Sequence, residues 1–507
     1  MVRKIDTFIY NAVILTQSKS MPIATSMAIA NGKIIALFQH NHVAPYQAKV
    51  MIDAQQKVII PGLIDAHCHL QAMVSEQFSI HIPTSYQTKE ALFTYLRAQI
   101  SQIPVGQWIR INGYHPFHFP KIEKLTMAML DELSTNHPIR LRYITRHTSV
   151  LNSLGWDYFK QASQNHSTEG IYEELDAVGQ PTGIIHGADA LLNEFVLPKL
   201  PEKQWLAGIQ ALQEKLLALG ITTVCDASPT TSASQLAIWK KAAQHFWHMP
   251  VHWMTGSAHF EDLALQLQST PLFKRSALKI VLETMPEIYP SKDVVVQMMK
   301  QAFLANSPVA VHVVNPEMVW HALDALQTVR QQLPDVKGIC RFEHMSLCPE
   351  AFFDMLYEQQ IQVVTNPPFI YTHGDRYLQQ VDDGEHQWLY PVNSLLQHRI
   401  TVAAGADAPV APISPWLGMV AACTRHSKDG LPVNKQQAVS RQEALNLYTT
   451  NAASVIGEQQ HIGQLAPGFD ATFIMLAHHP INCTLTELQH MQVLETWISG
   501  QRLYHSS

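Results

Sequence analysis

Short apolar segments alternate with longer amphipathic ones through the central part of the 507-residue chain. The short segments are rich in β-branched residues and are bounded by glycine, proline or polar residues, as buried strands are. Most of the intervening segments place apolar residues three and four positions apart, as helices do. This alternation predicts an α/β fold, a (β/α)8 TIM barrel. The eight apolar segments are KVIIPGLIDAHCH, GITTVCDAS, PVHWMTG, ALKIVLET, PVAVHVVN, ICRFEHM, IQVVTNP and ITVAAGADAPV.

Two ends with strand-like patterns flank this central part. Short β-branched runs separated by turn residues precede the first barrel segment, and Asn31-Gly32 between two of them predicts a hairpin turn. Similar runs, ATFIML and VLETWISGQRLYH, follow the last barrel segment. We expect residues 1–58 and 462–507 to form one composite β-sandwich domain and residues 59–461 to form the barrel. Because roughly 140 residues separate the first two barrel segments, far more than a βα connection needs, we expect residues 75–215 to be an insertion over the barrel mouth.

The composition indicates a packed globular protein with a small-molecule partner. Hydrophobic residues make up 47% of the chain, and the formal net charge is −6 with a pI near 6.5. This modest acidity, without a long basic run, argues against nucleic acid or an anionic membrane as a partner. The six scattered cysteines form no CxxC pair, and no apolar run reaches the length of a membrane-spanning helix. We therefore expect a cytoplasmic protein with reduced thiols.

Two histidines end the first predicted barrel strand, in the sequence HCH. With the period-two alternation of a strand, His67 and His69 share a face with Asp65. Two imidazoles at this spacing can bind one cation at neighbouring coordination positions. The pair alone is a weak signal that favours structural histidines on a strand, so its interpretation as a metal site depends on the other strands.

Polar residues also stand at or near the ends of other predicted strands. Lys279 lies in the otherwise apolar fourth strand, His312 and His344 follow the fifth and sixth, and Asp407 ends the eighth, where Gly405 permits a tight turn. A lysine inside a barrel requires a partner, a depressed pKa or chemical modification. Parallel barrel strands bring their carboxyl ends to one mouth, so we expect these side chains to meet. Imidazoles with a carboxylate suit Zn²⁺ and, less selectively, Fe²⁺, Mn²⁺ or Ni²⁺.

Several motifs resemble the amidohydrolase superfamily of metal-dependent hydrolases and, within it, the amidohydrolase 3 group of YtcJ-like proteins. PGLIDAHCH resembles the superfamily's first-strand motif, and RHTSVLNSLG resembles the group's insertion motif, with His147 and Asn152 five residues apart. The resemblance covers nearly the whole chain. Further motifs follow in the order typical of the group: GQPTGII, GITTVCDAS, FEHM, GADAPV, EALNLYTTNAASVIG and IGQLAPGFDATFIML.

The resemblance implies a site for one or two divalent metal ions, with zinc preferred. The first-strand histidines and Asp407 would bind the more buried ion, and the fifth- and sixth-strand histidines a second ion when one is present. Lys279 occupies the position of a lysine that is carboxylated in many relatives and bridges two metals. A single-metal site with an unmodified lysine, assisted by Glu283, stays open. The implied metal ligands are His67, His69, Lys279, His312, His344 and Asp407.

The resemblance further implies an enzyme that uses a metal-activated water to hydrolyse a carbon–nitrogen bond in an amide, formamide or cyclic amide. Asp407 would act as general base and then general acid, His147 would contact the small-molecule substrate, and Asp65 would orient the first-strand ligands. The alternatives are a deaminase on the same scaffold and a non-catalytic barrel relative. The resemblance leaves a homo-oligomer open.

The chain departs from the group's pattern at two places near the implied site. Asn315 and Pro316 replace a Gly-Asp pair after the fifth strand, and Glu283-Thr284 stands where the group often has Asp-Gly. These differences bear on substrate orientation and on the number of metal ions, and they remove none of the matched ligands.

The segments that follow the last two barrel strands offer further candidates for substrate contact. The segment after the seventh strand mixes aromatic and charged residues, and we expect it to be mainly a solvated loop. Arg425, after the eighth strand, could meet an anionic group or pair with a carboxylate. The candidates in the seventh-strand segment are Tyr371, His373, Arg376 and Trp388.

Overall fold

The computed structural model describes residues 3–39, 46–267, 272–284 and 287–506. Within these residues, parallel strands form an eight-stranded sheet in which strands consecutive along the barrel are neighbours. Each strand coincides with one of the eight apolar segments, which confirms the predicted (β/α)8 barrel. Barrel strands one to eight are Leu63–Cys68, Ile221–Asp226, Val251–Thr255, Phe273–Val281, Val309–Val313, Cys340–His344, Gln362–Thr365 and Val402–Ala404.

The first and eighth strands close this sheet into a barrel. Cys68 and Ala408 form a parallel bridge. The backbone N–H of Asp407 donates to the His67 carbonyl at 2.7 Å, and the N–H of His69 donates to the Ala408 carbonyl at 2.9 Å. Three of the predicted metal ligands therefore lie at the seam where the barrel closes.

Helices surround the barrel strands, and capping residues and prolines in the sequence mark where these helices begin. Asn315 accepts a hydrogen bond from the N–H of Met318 at 2.9 Å, and Pro316 occupies the first turn of the helix that follows. The residues that replace the group's Gly-Asp pair are thus a helix start. No helix of the described residues is long and apolar enough to cross a membrane. The helices of this part of the chain are Glu202–Ala218, Ala233–His245, Phe260–Leu267, Lys292–Leu304, Pro316–Gln332, Phe353–Glu358, Pro367–Gln380, Val392–Gln397, Pro415–Thr424, Arg441–Leu447, Thr450–Val455 and Leu485–Gln489.

Both termini contribute strands to a β domain of two sheets, as the sequence predicts. Antiparallel pairing of Phe473–Leu476 with Val58–Pro61 joins the two ends of the chain within one sheet. Asn31 and Gly32 have φ angles of 51° and 73° at the predicted hairpin turn. In spatial order, one sheet contains Lys33–Phe38, Ser26–Ala30, Arg3–Tyr10 and Tyr46–Asp53. The other contains Gln501–His505, Val493–Ile498, Phe473–Leu476, Val58–Pro61, Val13–Leu15 and Ile23–Ala24.

A second compact unit consists of Gln71–Gly208 and Glu283–Pro290. It has its own hydrophobic core, in which Leu92, Ile109 and Leu141 are fully buried. The strands of its sheet, in spatial order, are Tyr172–Leu175, Pro181–His186, Thr148–Leu151, Ile139–Tyr143, Ile109–Tyr114 and Ile80–His81. Its helices are Leu70–Glu76, Lys89–Ile100, Met127–Asp131, Ser153–Ser163 and Asp189–Leu191.

Candidate metal centre

Three predicted ligands from the ends of strands one, six and eight come together in the barrel. His67, His344 and Asp407 are buried, and each offers a ligand atom within 4.8 Å of the other two. His69 lies beside them, with Nε2 2.9 Å from Asp407 Oδ1. The predicted convergence of these strand ends is therefore seen in the structure.

The backbone at two of these residues adopts an uncommon conformation that aims the side chains. His344 has φ of 72° and Asp407 has φ of 53°, both in the left-handed region. This conformation costs roughly 1–2 kcal/mol for a residue with a side chain, so the surrounding structure must stabilise it. It also breaks the strand alternation, which frees each side chain from the face that its strand position would dictate.

Two further predicted ligands, His312 and Lys279, come from strands five and four. The ring centroid of His312 is 4.5 Å from that of His344. Lys279 is 4% exposed, and among the described residues its Nζ has no hydrogen-bond partner. Burial lowers the pKa of Lys279, although the charges of Glu343 and Asp407 partly oppose that shift. The lysine is therefore close to two carboxylates without being bonded to either.

Each of three predicted ligand imidazoles is held through its Nδ1 atom by a residue in, or just beyond the end of, another strand. His344 Nδ1 lies 2.6 Å from Asn366 Oδ1, and His69 Nδ1 lies 3.0 Å from Ser228 Oγ. His67 Nδ1 bonds to the Glu343 carboxylate. Because the acceptors on His67 and His344 require a proton on Nδ1, the Nε2 atoms of these two rings are left with lone pairs.

The sequence interpretation missed these outer partners. Glu343 is in the quoted motif FEHM, yet strand alternation assigns it to the opposite face from His344. Ser228 and Asn366 lie two residues and one residue beyond the ends of strands two and seven. Their position at strand ends is the signal that could have identified them.

The electrostatics of the site favour a neutral His344 beside an ionised Asp407. Burial, together with the neighbouring His67, lowers the pKa of His344 to about 3, so this ring is neutral near pH 7. Burial alone would raise the pKa of Asp407, but its contacts with His67 and His69 hold the pKa well below its usual range. Neutral imidazole and carboxylate are the forms that bind metal ions.

The donor atoms fit a bound divalent cation. His67 Nε2 faces Asp407 Oδ1 at 3.4 Å, so a lone pair and a carboxylate oxygen confront each other unless a cation or a proton lies between them. Burial and Lys279 oppose protonation of His67, but Glu343 and Asp407 outweigh them and raise its pKa. An ion bound by the clustered imidazole and carboxylate atoms would relieve the same confrontation, and this donor set suits Zn²⁺.

Asp65 joins the backbones of strands one and eight. Its carboxylate accepts hydrogen bonds from the N–H of His67 at 3.1 Å and the N–H of Ala406 at 3.0 Å. Burial raises its pKa to about 7, which the two backbone hydrogen bonds partly oppose. These bonds place the backbone of His67 and of the residue before Asp407, in keeping with the orienting role expected of Asp65.

Gly405 is required by close approach and not by a tight turn, so the reason given for it from the sequence is wrong. Its φ is outside the left-handed region, while a Cβ at this position would lie 2.4 Å from the His67 nitrogen and 2.8 Å from its Cα. The absent side chain lets the chain after strand eight pack directly against His67, the first of the predicted ligands.

Gly405→Ala should destabilise the protein by about 1–3 kcal/mol, because the backbone of strand one or eight must shift. It should also weaken metal binding, since the shift moves His67. Chemical denaturation and metal titration measure the two effects. Gly384→Ala is the matched control, because a Cβ there meets nothing within 4 Å. Equal stability of the two variants would contradict the close-approach argument.

The segment after strand seven is a helix, Pro367–Gln380, and not the solvated loop expected. His373 and Arg376 are 2% and 9% exposed, and Tyr371 and Trp388 are partly buried. The prolines at the start of the helix have no N–H to lose in a first turn, so an Asn-Pro-Pro sequence begins a helix readily. His373 and Arg376 therefore pack inside the protein.

Arg425 binds backbone carbonyls, and among the residues that the structure describes its guanidinium is paired with no carboxylate. Its guanidinium donates to the carbonyls of Val433, Tyr390 and Leu389 at 3.0, 3.2 and 2.8 Å. The side chain is 1% exposed, and burial lowers its pKa to about 9. Arg425 thus joins two segments, one at Leu389-Tyr390 and the other at Val433.

Arg425→Met should lower the free energy of unfolding by about 2–4 kcal/mol, because three buried carbonyls lose a charged donor. Urea denaturation measures this loss. Arg502→Met removes a half-exposed ion pair with Glu495 and should change stability by less than about 1 kcal/mol. A similar small effect at both positions would rule out the structural role of Arg425.

The two residues of the insertion motif belong to the second compact unit. His147 Nδ1 lies 2.7 Å from Glu283 Oε1, and its contact with substrate stays a prediction. Asn152 is fully buried and accepts from the N–H groups of Ile139 and Gly155 at 2.8 and 2.9 Å. Because it also starts the helix Ser153–Ser163, this asparagine has a structural role.

Comparison with known proteins agrees with the barrel fold. The chain is 26% identical to an N-substituted formamide deformylase of Arthrobacter pascens, with 98% of each chain covered. It is 23% identical to the putative amidohydrolase YtcJ of Bacillus subtilis, with 89% of each covered. A metal-dependent hydrolase structure from Pyrococcus horikoshii superposes with a TM-score of 0.75 at 20% identity, covering 95% of this chain and 99% of that one.

The sequence profile of the amidohydrolase family matches residues 50–504, which include every predicted ligand. This match confirms the resemblance seen in the motifs. The chain therefore belongs to the amidohydrolase family and is a metal-dependent hydrolase of carbon–nitrogen bonds.

Proposed function

We propose that the protein hydrolyses the amide bond of a small N-substituted formamide, releasing formate and an amine, with Zn²⁺ as the metal ion. The observation that carries this proposal is the buried cluster of His67, His344 and Asp407, with His69 beside it. Similarity to a formamide deformylase along nearly the full length of both chains supports the substrate class. Two imidazoles and a carboxylate in one cluster support zinc.

The protein's own residues supply binding and proton transfer. A metal ion at this cluster would lower the pKa of a bound water from about 15.7 towards 7. Asp407, ionised and beside His67 and His69, is the proposed base that accepts the proton of the attacking water. The same carboxyl group then delivers that proton to the leaving nitrogen, so the amine departs uncharged and Asp407 returns to its ionised form.

The role proposed for Lys279 depends on whether the site binds one metal ion or two. The proposed ligands of a second ion are His312 and His344, with Lys279 as a bridge once carboxylated. Because its amine is buried without a hydrogen-bond partner in the described structure, this lysine is suited to modification that makes it an anion. Metal analysis would give the number of ions. The intact mass would show whether Lys279 is carboxylated, because the carbamate adds the mass of one carbon dioxide.

The composition and thiols support the remaining proposals. A net charge of −6 supports a small-molecule substrate over nucleic acid. All six cysteines are free, as in the reducing cytoplasm. Size measurement in solution would test whether the chain forms a homo-oligomer.

The test of the proposed function is an assay on a panel of N-substituted formamides, other N-acyl amines and cyclic amides. Formate and primary amine should appear in equal amounts from the formamides, and only with metal-loaded protein. Ammonia release from an amino-substituted heterocycle, without formamide turnover, would favour the deaminase alternative. Lack of turnover by metal-loaded protein on every compound would contradict the proposal.

A further inference from the structure

A buried ion pair on strand six lies directly behind the metal cluster. Glu343 is 0% and Arg341 is 1% exposed. Arg341 Nη2 donates to Glu343 Oε2 at 3.0 Å, and its Nε donates to Oε1 at 2.5 Å, so the guanidinium grips both carboxylate oxygens. Burying two charges costs desolvation free energy, and the two hydrogen bonds between the guanidinium and the carboxylate offset that cost.

The pair holds His67 from across the barrel in two ways. Glu343 Oε2 accepts a hydrogen bond from His67 Nδ1. Arg341 Nη2 donates to the carbonyl of Ala66, the residue before His67, at 2.8 Å. Strands one and six are not neighbours in the sheet, so these bonds link His67 to a distant strand by its ring and by its backbone.

Two of the other predicted ligand histidines have uncharged partners on Nδ1. His69 faces the Ser228 hydroxyl, and His344 faces the Asn366 amide oxygen. Of these three rings, His67 alone has an anionic partner on Nδ1. A carboxylate on Nδ1 fixes the tautomer and increases the electron density at Nε2, the atom turned towards Asp407.

We propose that Glu343 is a positioning residue that makes His67 a stronger imidazole donor than His69 and His344, and that Arg341 keeps the Glu343 carboxylate in place. This inference rests on the proposed metal-dependent function. In this inference Glu343 and Arg341 increase the affinity for the metal ion, and Asp407 performs the proton transfer.

The experiment measures zinc affinity by competition with a chelator, which needs no substrate. The double variant Arg341→Met/Glu343→Gln removes both charges together and leaves an amide oxygen for His67 Nδ1. Its zinc affinity should fall by about 10- to 100-fold. Ser228→Ala removes the uncharged partner of His69 and should lower the affinity by less than about tenfold. Unchanged affinity in the double variant, or an equal loss in Ser228→Ala, would overturn the inference.

Two further readouts separate positioning from a general loss of structure. The visible spectrum of Co²⁺-substituted protein should change in the double variant and stay close to that of the unaltered protein in Ser228→Ala. In the unaltered zinc-loaded protein, ¹H NMR should show a strongly downfield exchangeable histidine proton that Ser228→Ala retains. Its absence would overturn the inference even where the double variant fails to fold. Failure of the unaltered protein to bind any metal would instead contradict the proposed function.

Discussion

Asp407→Asn should lower kcat by about 10²- to 10⁴-fold, the range typical of lost general acid–base catalysis. The side chain keeps its size, and asparagine tolerates the φ of 53° at this position, so the fold should persist. The amide can neither accept the proton of the attacking water nor return it to the leaving nitrogen. Steady-state kinetics on the best formamide of the panel, with metal content measured in the same sample, tests this expectation.

Asp375→Asn is the matched control for this change. Asp375 accepts a hydrogen bond from Ser427 at 2.5 Å and belongs to the helix after strand seven. Its replacement should leave kcat within a factor of about three, because no part of the proposed proton transfer passes through it. Asp407→Asn protein that contains metal and retains full activity would remove Asp407 as the base. A metal-free Asp407→Asn protein would show instead that the Asp407 carboxylate is needed to bind the ion.

Removal of metal with a chelator should abolish activity and lower the thermal stability together. An ion that binds only the folded state stabilises it by about 4 kcal/mol when its free concentration is a thousand times its Kd. Addition of Zn²⁺ should restore both properties, and calorimetry with a parallel activity assay measures them on the same sample.

His67→Ala is the companion variant for the metal experiment. It lacks one of the three clustered candidate ligands, so added Zn²⁺ should raise its stability far less than that of the unaltered protein. Chelated protein that remains fully active and unfolds at an unchanged temperature would contradict the metal-dependent mechanism.

Much of the site could be predicted because, in a barrel, the order of strands along the chain determines where the residues at their ends lie. His67, His344 and Asp407 are far apart in sequence, yet each follows a short apolar run. The strand ends of a parallel barrel share one mouth, so chemistry at the end of each run predicts a cluster. No detail of packing is needed for this step.

The support of the cluster could not be predicted, because it depends on backbone conformation and on contacts across the barrel. Glu343 and His67 are 276 residues apart and on strands that are not adjacent. Strand alternation puts Glu343 and His344 on opposite faces, but the left-handed φ of His344 lets both act in one site. The local sequence FEHM does not predict a left-handed backbone conformation at His344.

The helix after strand seven shows a different limit. Histidine and arginine in a polar segment favour solvent exposure on average, so His373 and Arg376 suggested a loop. In the folded chain His373 packs edge to face with Phe369, with ring centroids 5.0 Å apart, and Arg376 lies over the Tyr377 ring at 5.2 Å. Burial of these residues is decided by tertiary neighbours that the segment itself does not contain.

The seam between strands one and eight also orders events during synthesis of the chain. His67 emerges from the ribosome early, but Asp407 and Ala408, which close the barrel against it, come some 340 residues later. Val58–Pro61 must likewise wait for its partner Phe473–Leu476. Until then both strands present unpaired edges that can join another chain. A nascent chain thus has neither a closed barrel nor a complete cluster of candidate ligands until these later segments are made, so protection of the two edges, by a chaperone or by slow elongation, should govern the yield of active protein.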